Sequence, residues 1–191
     1  PYRASLDGNE QYDDVEGVIA LWHAMVGDAR LRRLVEAVAF IEQPIRRAGA
    51  LSRDIASLAA LRPVIIDESD DRLDAFARAR ALGYTGVSSK TCKGLYRSML
   101  NAARCARWNR EAGAPRFFMS AEDLTIQAGL ALQQDLALVS LLGIAHVERN
   151  GHHYVDGMAA LPEAEQQAFL DAHPDLYERS HGAVRVRIGQ G

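Results

Sequence analysis

Four apolar segments of the chain each end in a charged residue, at intervals close to the length of one strand-plus-helix unit. The charged residues are Asp7, Glu42, Asp67 and Lys90, which lie 35, 25 and 23 residues apart. A parallel strand with its crossover helix takes about 30 residues, so the spacing predicts a strand before each charged residue and a helix after it. The carboxyl ends of parallel strands lie on one face of such a protein, where its chemistry takes place. We therefore expect three carboxylates and one amine to lie on that face.

The composition is typical of a soluble enzyme and says little else about function. The chain has 191 residues, of which 48% are hydrophobic, so it can bury a sizeable core. Its formal net charge of −3 gives no reason to expect a nucleic-acid or membrane partner. No apolar run is long enough for a membrane span. Two cysteines, Cys92 and Cys105, are too few for a disulfide framework, so we expect a cytoplasmic protein.

The hydrophobic pattern predicts alternating strands and helices as far as residue 142. The predicted strands are 3–7, 38–41, 64–66, 85–89 and 116–119, and the predicted helices are 15–37, 52–61, 71–82, 95–112 and 125–142. The pattern then changes, because the Asn150-Gly151 pair predicts a type I′ turn between strands 144–149 and 152–155. A polar helix over 163–172 and a strand over 183–188 complete the prediction.

Four motifs in this order resemble the third to sixth strand ends of the enolase superfamily barrel, and among its branches those of mandelate racemase and the muconate-lactonising enzymes. The motifs are Asp7-Gly8-Asn9, Ile41-Glu42-Gln43-Pro44, Asp67-Glu68-Ser69 and Lys90-Thr91-Cys92-Lys93-Gly94. The resemblance implies an α/β fold: an incomplete (β/α) barrel of TIM type, with about six βα units from the third strand onward, and a C-terminal β-hairpin and short helix. It covers residues 1–160, and 161–191 are expected to return towards a capping domain.

The resemblance also implies roles for individual residues. Asp7, Glu42 and Asp67 would hold one Mg²⁺, and Lys90 would be the acid/base catalyst, with Asp123 as a second catalytic group. Supporting groups that orient the ligands or contact substrate would be Asn9, Glu68, Lys93, Glu122 and Glu148. A single acid after a strand can equally cap a helix or pair with a surface cation, so the inference depends on the whole set.

These roles predict a Mg²⁺-dependent racemase, epimerase or dehydrating lyase that removes the α-proton of a carboxylate substrate through an enediolate. Mg²⁺ stabilises the negative charge that builds up on the carboxylate oxygens. Desolvation and a nearby cation would lower the pKa of Lys90 towards the range a base requires.

Two other functions remain open from the sequence. In an aldolase-like barrel, Lys90 would form a Schiff base and need no metal. In a non-catalytic fragment or pseudoenzyme, the chain would persist by associating with another chain. For either enzyme we expect a small-molecule carboxylate substrate. We also expect the chain to form a homo-oligomer or to associate with the remainder of a longer polypeptide. This chain alone is expected to be inactive, because only one acid/base group is evident.

Overall fold

The main architectural feature is a six-stranded sheet in which each strand lies beside the next strand of the sequence. The computed structural model describes residues 2–122, 128–149, 151 and 154–187. The strands are β1 (Ala4–Asp7), β2 (Val38–Glu42), β3 (Val64–Ile66), β4 (Gly86–Ser89), β5 (Phe118–Glu122) and β6 (Val147–Glu148). The six strands are parallel, and this sequential order is that of a (β/α) barrel. The predicted incomplete α/β barrel is confirmed.

Helices connect the strands, and three of them, α1, α6 and α8, begin at the residue that the sequence predicts. They are α1 (Val15–Gly27), α2 (Arg32–Ala37), α3 (Arg47–Ala50), α4 (Ala56–Ala59), α5 (Ala75–Ala81), α6 (Leu95–Ala112), α7 (Leu130–Leu142) and α8 (Glu163–Ala172). Asp14 caps α1 because its carboxylate accepts a hydrogen bond from the backbone N–H of Gly17 at 3.0 Å. The buried residues Val18, Trp22 and Met25 of α1 follow the helical period.

The predicted single helix over 15–37 is interrupted at Asp28. This residue has an extended backbone, with φ of −93° and ψ of 109°, and its carboxylate accepts hydrogen bonds from both the backbone and the guanidinium of Arg30. Aspartate competes for backbone donors in this way and so favours helix caps over helix interiors. A 3₁₀ turn over Ala29–Leu31 then leads into α2.

The predicted hairpin at 144–155 is wrong in its position. Val147 and Glu148 pair in parallel with Ala121 and Glu122, so this segment continues the six-stranded sheet. The C-terminal hairpin lies further on, where β7 (Tyr177–Ser180) pairs antiparallel with β8 (Ala183–Val186). Its turn residues, His181 and Gly182, both have positive φ, as a type I′ turn requires. The predicted turn residue Asn150 and the first half of the predicted strand 152–155 lie outside the described residues.

The chain divides into two compact units. The first holds the residues up to Ser89 together with Tyr96–Ser120, and the second holds Lys90–Leu95 and the residues from Ala121 onward. The predicted boundary near residue 160 stays a prediction. Among the described residues, no helix is both long and apolar enough to cross a membrane.

Each unit has an apolar core of its own. The core of the first unit includes Val38, Ile41, Ile45, Ile55, Leu58, Val64, Ile66, Phe76, Val87, Trp108 and Phe117. Fully burying a side chain of this size stabilises the fold by about 1.5–3 kcal/mol. The second unit has a smaller core around Met158, Tyr177 and Val184, where the Tyr177 hydroxyl accepts a hydrogen bond from Gln133.

Candidate functional site

The carboxyl ends of β1 and β2 are held in register beyond the strands themselves. Asp7 is the register partner of Glu42. The next residue, Gly8, donates its backbone N–H to the carbonyl of Glu42 at 2.8 Å. A Cβ on Gly8 would lie 2.5 Å from Cα of Pro44, so only glycine permits this close approach. The two predicted carboxylates therefore stand on neighbouring strand ends.

Asp7 and Asn9 form a local turn on the surface. The Asp7 carboxylate accepts hydrogen bonds from the backbone N–H of Asn9 at 2.9 Å and from its Nδ2 at 3.2 Å. Asn9 has φ of +41°, a conformation that asparagine tolerates better than most residues. Asp7 is exposed, in contrast to Glu42 and Asp67. The pairing of Asp7 and Asn9 agrees with the predicted orienting role of Asn9, which stays a prediction.

Glu42 and Asp67 are both buried at the ends of their strands. Glu42 is the last residue of β2 and is 4% exposed, while Asp67 follows β3 and is 3% exposed. Glu68, beside Asp67, is half-buried. Burying a carboxylate is costly, and such groups persist when hydrogen bonds, ion pairs or metal ions compensate them. Two acids buried side by side at strand ends are therefore typical of a functional site.

The loop after β3 is anchored by one face of α6. Asn101 donates from Nδ2 to the Asp70 carboxylate at 3.2 Å, and Arg104 donates to the carbonyl of Leu73 at 2.6 Å. Arg97 donates to the backbone carbonyl of Asp70. The three helix residues recur at the spacing of one helical face. They fix the loop that begins at Asp67.

Lys90 and Glu122 form a buried ion pair. The Nζ atom of Lys90 lies 2.5 Å from Oε2 of Glu122, and the two side chains are 8% and 13% exposed. Lys90 follows β4, and Glu122 is the last residue of β5. Lys93 lies close by in the 3₁₀ turn Thr91–Lys93 and is half-buried. A lysine without surrounding water, paired with a carboxylate, is suited to proton transfer.

Two carboxylates of the first unit lie close enough to share a metal ion. One ligand oxygen of Glu42 lies within 4.8 Å of one ligand oxygen of Asp67. The donor set is all oxygen, which suits a hard cation such as Mg²⁺. Both residues were predicted as metal ligands. The third predicted ligand, Asp7, stays a prediction.

Glu122 was predicted only as a supporting residue, because the predicted strand before it was too short. The predicted strand ended at 119, whereas β5 continues to Glu122. The acid therefore ends a strand, as Glu42 does. Glu148 lies directly beside it as its register partner in β6 and is half-buried. Asp123, predicted as a catalytic group, lies outside the described residues.

The sequence analysis did not identify two further contacts at the strand ends. Gln43 is fully buried, with its side-chain amide hydrogen-bonded to the segment that follows β3. Glu10 accepts three hydrogen bonds from Arg47, one from its backbone and two from its guanidinium at 2.9 and 2.6 Å. These bonds hold the pKa of Glu10 below its usual value. Both contacts join residues far apart in sequence, which no local pattern signals.

Comparison with solved structures identifies the fold. A mandelate racemase/muconate lactonizing protein from Herpetosiphon aurantiacus matches 96% of the chain with a TM-score of 0.59 and 18% identity. The fold is that of the enolase superfamily barrel. An unknown enolase superfamily member from Enterococcus faecalis matches 96% of the chain, with a TM-score of 0.60 and 16% identity. The L-Ala-D/L-Glu epimerase from Bacillus subtilis matches 97%, with a TM-score of 0.54 and 13% identity.

The chain spans less than half the length of these three structures, covering 45%, 43% and 45% of them respectively. No protein-family model matches the sequence. No curated protein matches it either. At 13–18% identity, these similarities to the enolase superfamily establish the fold, and the chemistry must be argued from the side chains.

Proposed function

We propose that this chain carries the metal-binding and proton-transfer groups of a Mg²⁺-dependent racemase, epimerase or dehydrating lyase. The reaction begins with removal of the proton α to a carboxylate. The observation that supports this most strongly is the buried pair formed by Glu42 and Asp67, with ligand oxygens within 4.8 Å of each other. The epimerase from Bacillus subtilis, which has the same fold, is consistent with this reaction class.

Glu42 and Asp67 would hold the metal, and Asp7, the register partner of Glu42, would join them. The all-oxygen donor set fits a divalent cation, because carboxylates gathered in a buried site need positive charge to offset their repulsion. Mg²⁺ supplies a fixed positive charge that stabilises the negative charge that develops on the substrate carboxylate. Burial of Glu42 and Asp67 strengthens this effect, because water is kept from the site.

Lys90 would hold and move the proton, at its Nζ atom. Its amine is buried beside Glu122, so its orientation is fixed and solvent does not compete for the proton. A positioned acid/base group of this kind typically contributes 10²- to 10⁴-fold to the rate.

The buried carboxylates favour this function over a Schiff-base aldolase. Both mechanisms use the neutral amine of Lys90, but a Schiff base forms without a metal, whereas Glu42 and Asp67 together offer oxygen ligands for a divalent cation. Borohydride reduction in the presence of aldehydes and ketones tests the alternative directly. A stable covalent adduct on Lys90 would support the aldolase and contradict our proposal.

A metal titration of single variants tests the proposed ligands. Wild-type chain is expected to bind one Mg²⁺, and Glu42→Gln and Asp67→Asn each should weaken binding more than 10-fold, because each removes a charged ligand. Glu36→Gln is the matched control, since Glu36 is an exposed carboxylate on α2. Absence of binding by the wild type, or equal affinity in all four proteins, would contradict the proposal.

Proton exchange in D₂O tests the role of Lys90 in a polypeptide that carries the complete barrel, because the 191-residue chain alone is expected to be inactive. Magnetic resonance would follow the α-proton of a panel of small carboxylic acids in the presence of Mg²⁺. Exchange should be lost with Lys90→Ala and not be restored by Lys90→Arg, because a guanidinium keeps its proton near neutral pH. Exchange at the wild-type rate in Lys90→Ala would remove Lys90 from the mechanism.

A further inference from the structure

We propose that Gln43 is a positioning residue that sets the affinity of the site for its metal, by fixing Asp67 relative to Glu42. This inference rests on the proposed function, because it requires a cation shared by the two carboxylates. Gln43 follows Glu42 directly in the chain and bonds to the residues that carry Asp67. One side chain thus links both carboxylate-bearing strand ends.

The amide of Gln43 is fully used by four hydrogen bonds. Its Oε1 accepts from the backbone N–H groups of Asp67 at 2.8 Å and Ser69 at 3.1 Å. Its Nε2 donates to the carbonyl of Ile45 at 2.8 Å and to Oγ of Ser69 at 2.8 Å. The residue is 0% exposed, so no water replaces a lost partner.

This set of partners allows only one orientation of the amide. A glutamine side chain offers two donor hydrogens and two acceptor positions, and the two ends are easily exchanged in principle. Rotation of the amide by 180° would place Oε1 against the carbonyl of Ile45 and Nε2 against two N–H groups. Both contacts would then be repulsive. The network therefore determines where the backbone of Asp67 lies relative to β2.

The backbone of Gln43 supports the same interpretation. Its φ is +29°, in the left-handed region that residues other than glycine rarely adopt. Its N–H still donates to the carbonyl of Ile65 at 3.0 Å, so the β2–β3 ladder extends to this residue before the chain turns. An uncommon backbone conformation persists where the surroundings over-determine it, and such residues cluster at functional sites.

The test compares the metal affinity of Gln43→Met with that of wild type. Methionine keeps the length and volume of glutamine and removes all four hydrogen bonds. We expect 10- to 100-fold weaker Mg²⁺ binding, the usual loss when a group that orients metal ligands is removed. The matched control is Gln11→Met, because Gln11 is exposed and its amide bonds only the carbonyl of Asn9 among the described partners. Its affinity should stay within about twofold of wild type.

Two further measurements separate positioning from general stability. Ser69→Ala removes one partner of the amide, and we expect a loss of affinity that is smaller than in Gln43→Met, in a protein that remains folded by circular dichroism. The electron paramagnetic resonance spectrum of bound Mn²⁺ should change in both variants, because the ligand geometry changes. A purely structural role would lower the unfolding temperature without altering either readout below it.

The outcomes distinguish this inference from the proposed function. If the wild type binds Mg²⁺ and both Gln43→Met and Ser69→Ala bind it equally well with the same Mn²⁺ spectrum, the positioning role is overturned and the proposed function stands. If the wild type binds no divalent cation, the proposed function is overturned, and the inference with it.

Discussion

Lys90 and Glu122 form a buried ion pair, with Nζ of the lysine 2.5 Å from Oε2 of the glutamate. Lys90 follows β4, and Glu122 is the last residue of β5. Each charge offsets the cost of burying the other. Removing either charge should therefore lower the stability of the fold.

Lys90→Met should destabilise the fold without removing the metal site. The substitution takes the cation from a carboxylate that is 13% exposed, and breaking such a pair costs about 3 kcal/mol. Mg²⁺ should bind with an affinity close to that of the wild type, because Glu42 and Asp67 are unchanged, and binding should restore part of the lost stability. Thermal unfolding with and without Mg²⁺ measures both effects. A variant that no longer binds Mg²⁺, or one as stable as the wild type, would contradict these roles.

Glu10→Gln should destabilise the protein in a pH-dependent manner. Hydrogen bonds from Arg47 hold the pKa of Glu10 below its ordinary value of 4.5. A carboxylate whose pKa is lower in the folded state stabilises the protein at pH values above its unfolded-state pKa. This stabilisation is lost as the pH falls through the folded-state pKa. Urea unfolding should show wild type more stable by about 0.5–1 kcal/mol at pH 7, with the difference disappearing in strongly acidic buffer. The Glu36→Gln control should show no such dependence, and a constant difference for Glu10→Gln would contradict the assignment.

Gly8→Ala should destabilise the junction of β1 and β2. The added Cβ would lie 2.5 Å from Cα of Pro44, which is backbone and cannot swing aside. Forcing an extra methyl group into a closely packed contact costs about 1–3 kcal/mol. Gly27→Ala is the control, because a Cβ at this helical position meets nothing within 4 Å. Urea unfolding should separate the two variants, and equal stability would show that the loop relaxes freely.

The two cysteines should differ in reactivity towards a thiol-specific disulfide reagent. Cys92 is exposed, whereas Cys105 is buried on α6, where burial raises the pKa of its thiol to about 12. The thiolate is the reactive form, so native protein at pH 8 should release one equivalent of chromophore and unfolded protein two. Cys92→Ser should release none while folded. Two equivalents from the native wild type would contradict the packing of α6.

Where the local hydrophobic pattern is strong, the first and last residues of an element could be predicted from the sequence. Strand β3 has the predicted bounds, because Val64–Ile66 is a short, wholly apolar run buried on both faces. Helices α6 and α8 also match their predicted bounds. The break at Asp28 and the parallel pairing of Val147–Glu148 could not be predicted in this way, because side-chain capping and tertiary pairing override the local pattern.

The candidate site could be predicted only as far as strand ends are visible in the sequence. Glu42, Asp67 and Lys90 were found because each follows a recognisable apolar run. Glu122 was not recognised as the end of a strand, because alternation in β5 does not reveal where that strand ends. Gln43 was part of a motif but was given no role, since its importance comes from hydrogen bonds to Asp67 and Ser69, 24 and 26 residues further along.

The central claim is that one divalent cation binds between the strand-end carboxylates. The most direct test is a crystal structure of the chain grown with Mn²⁺, with anomalous diffraction locating the metal. The account predicts one strong peak within roughly 2.0–2.3 Å of carboxylate oxygens of Glu42 and Asp67. Two carboxylates that share no peak, or a single peak bound elsewhere on the protein, would contradict it.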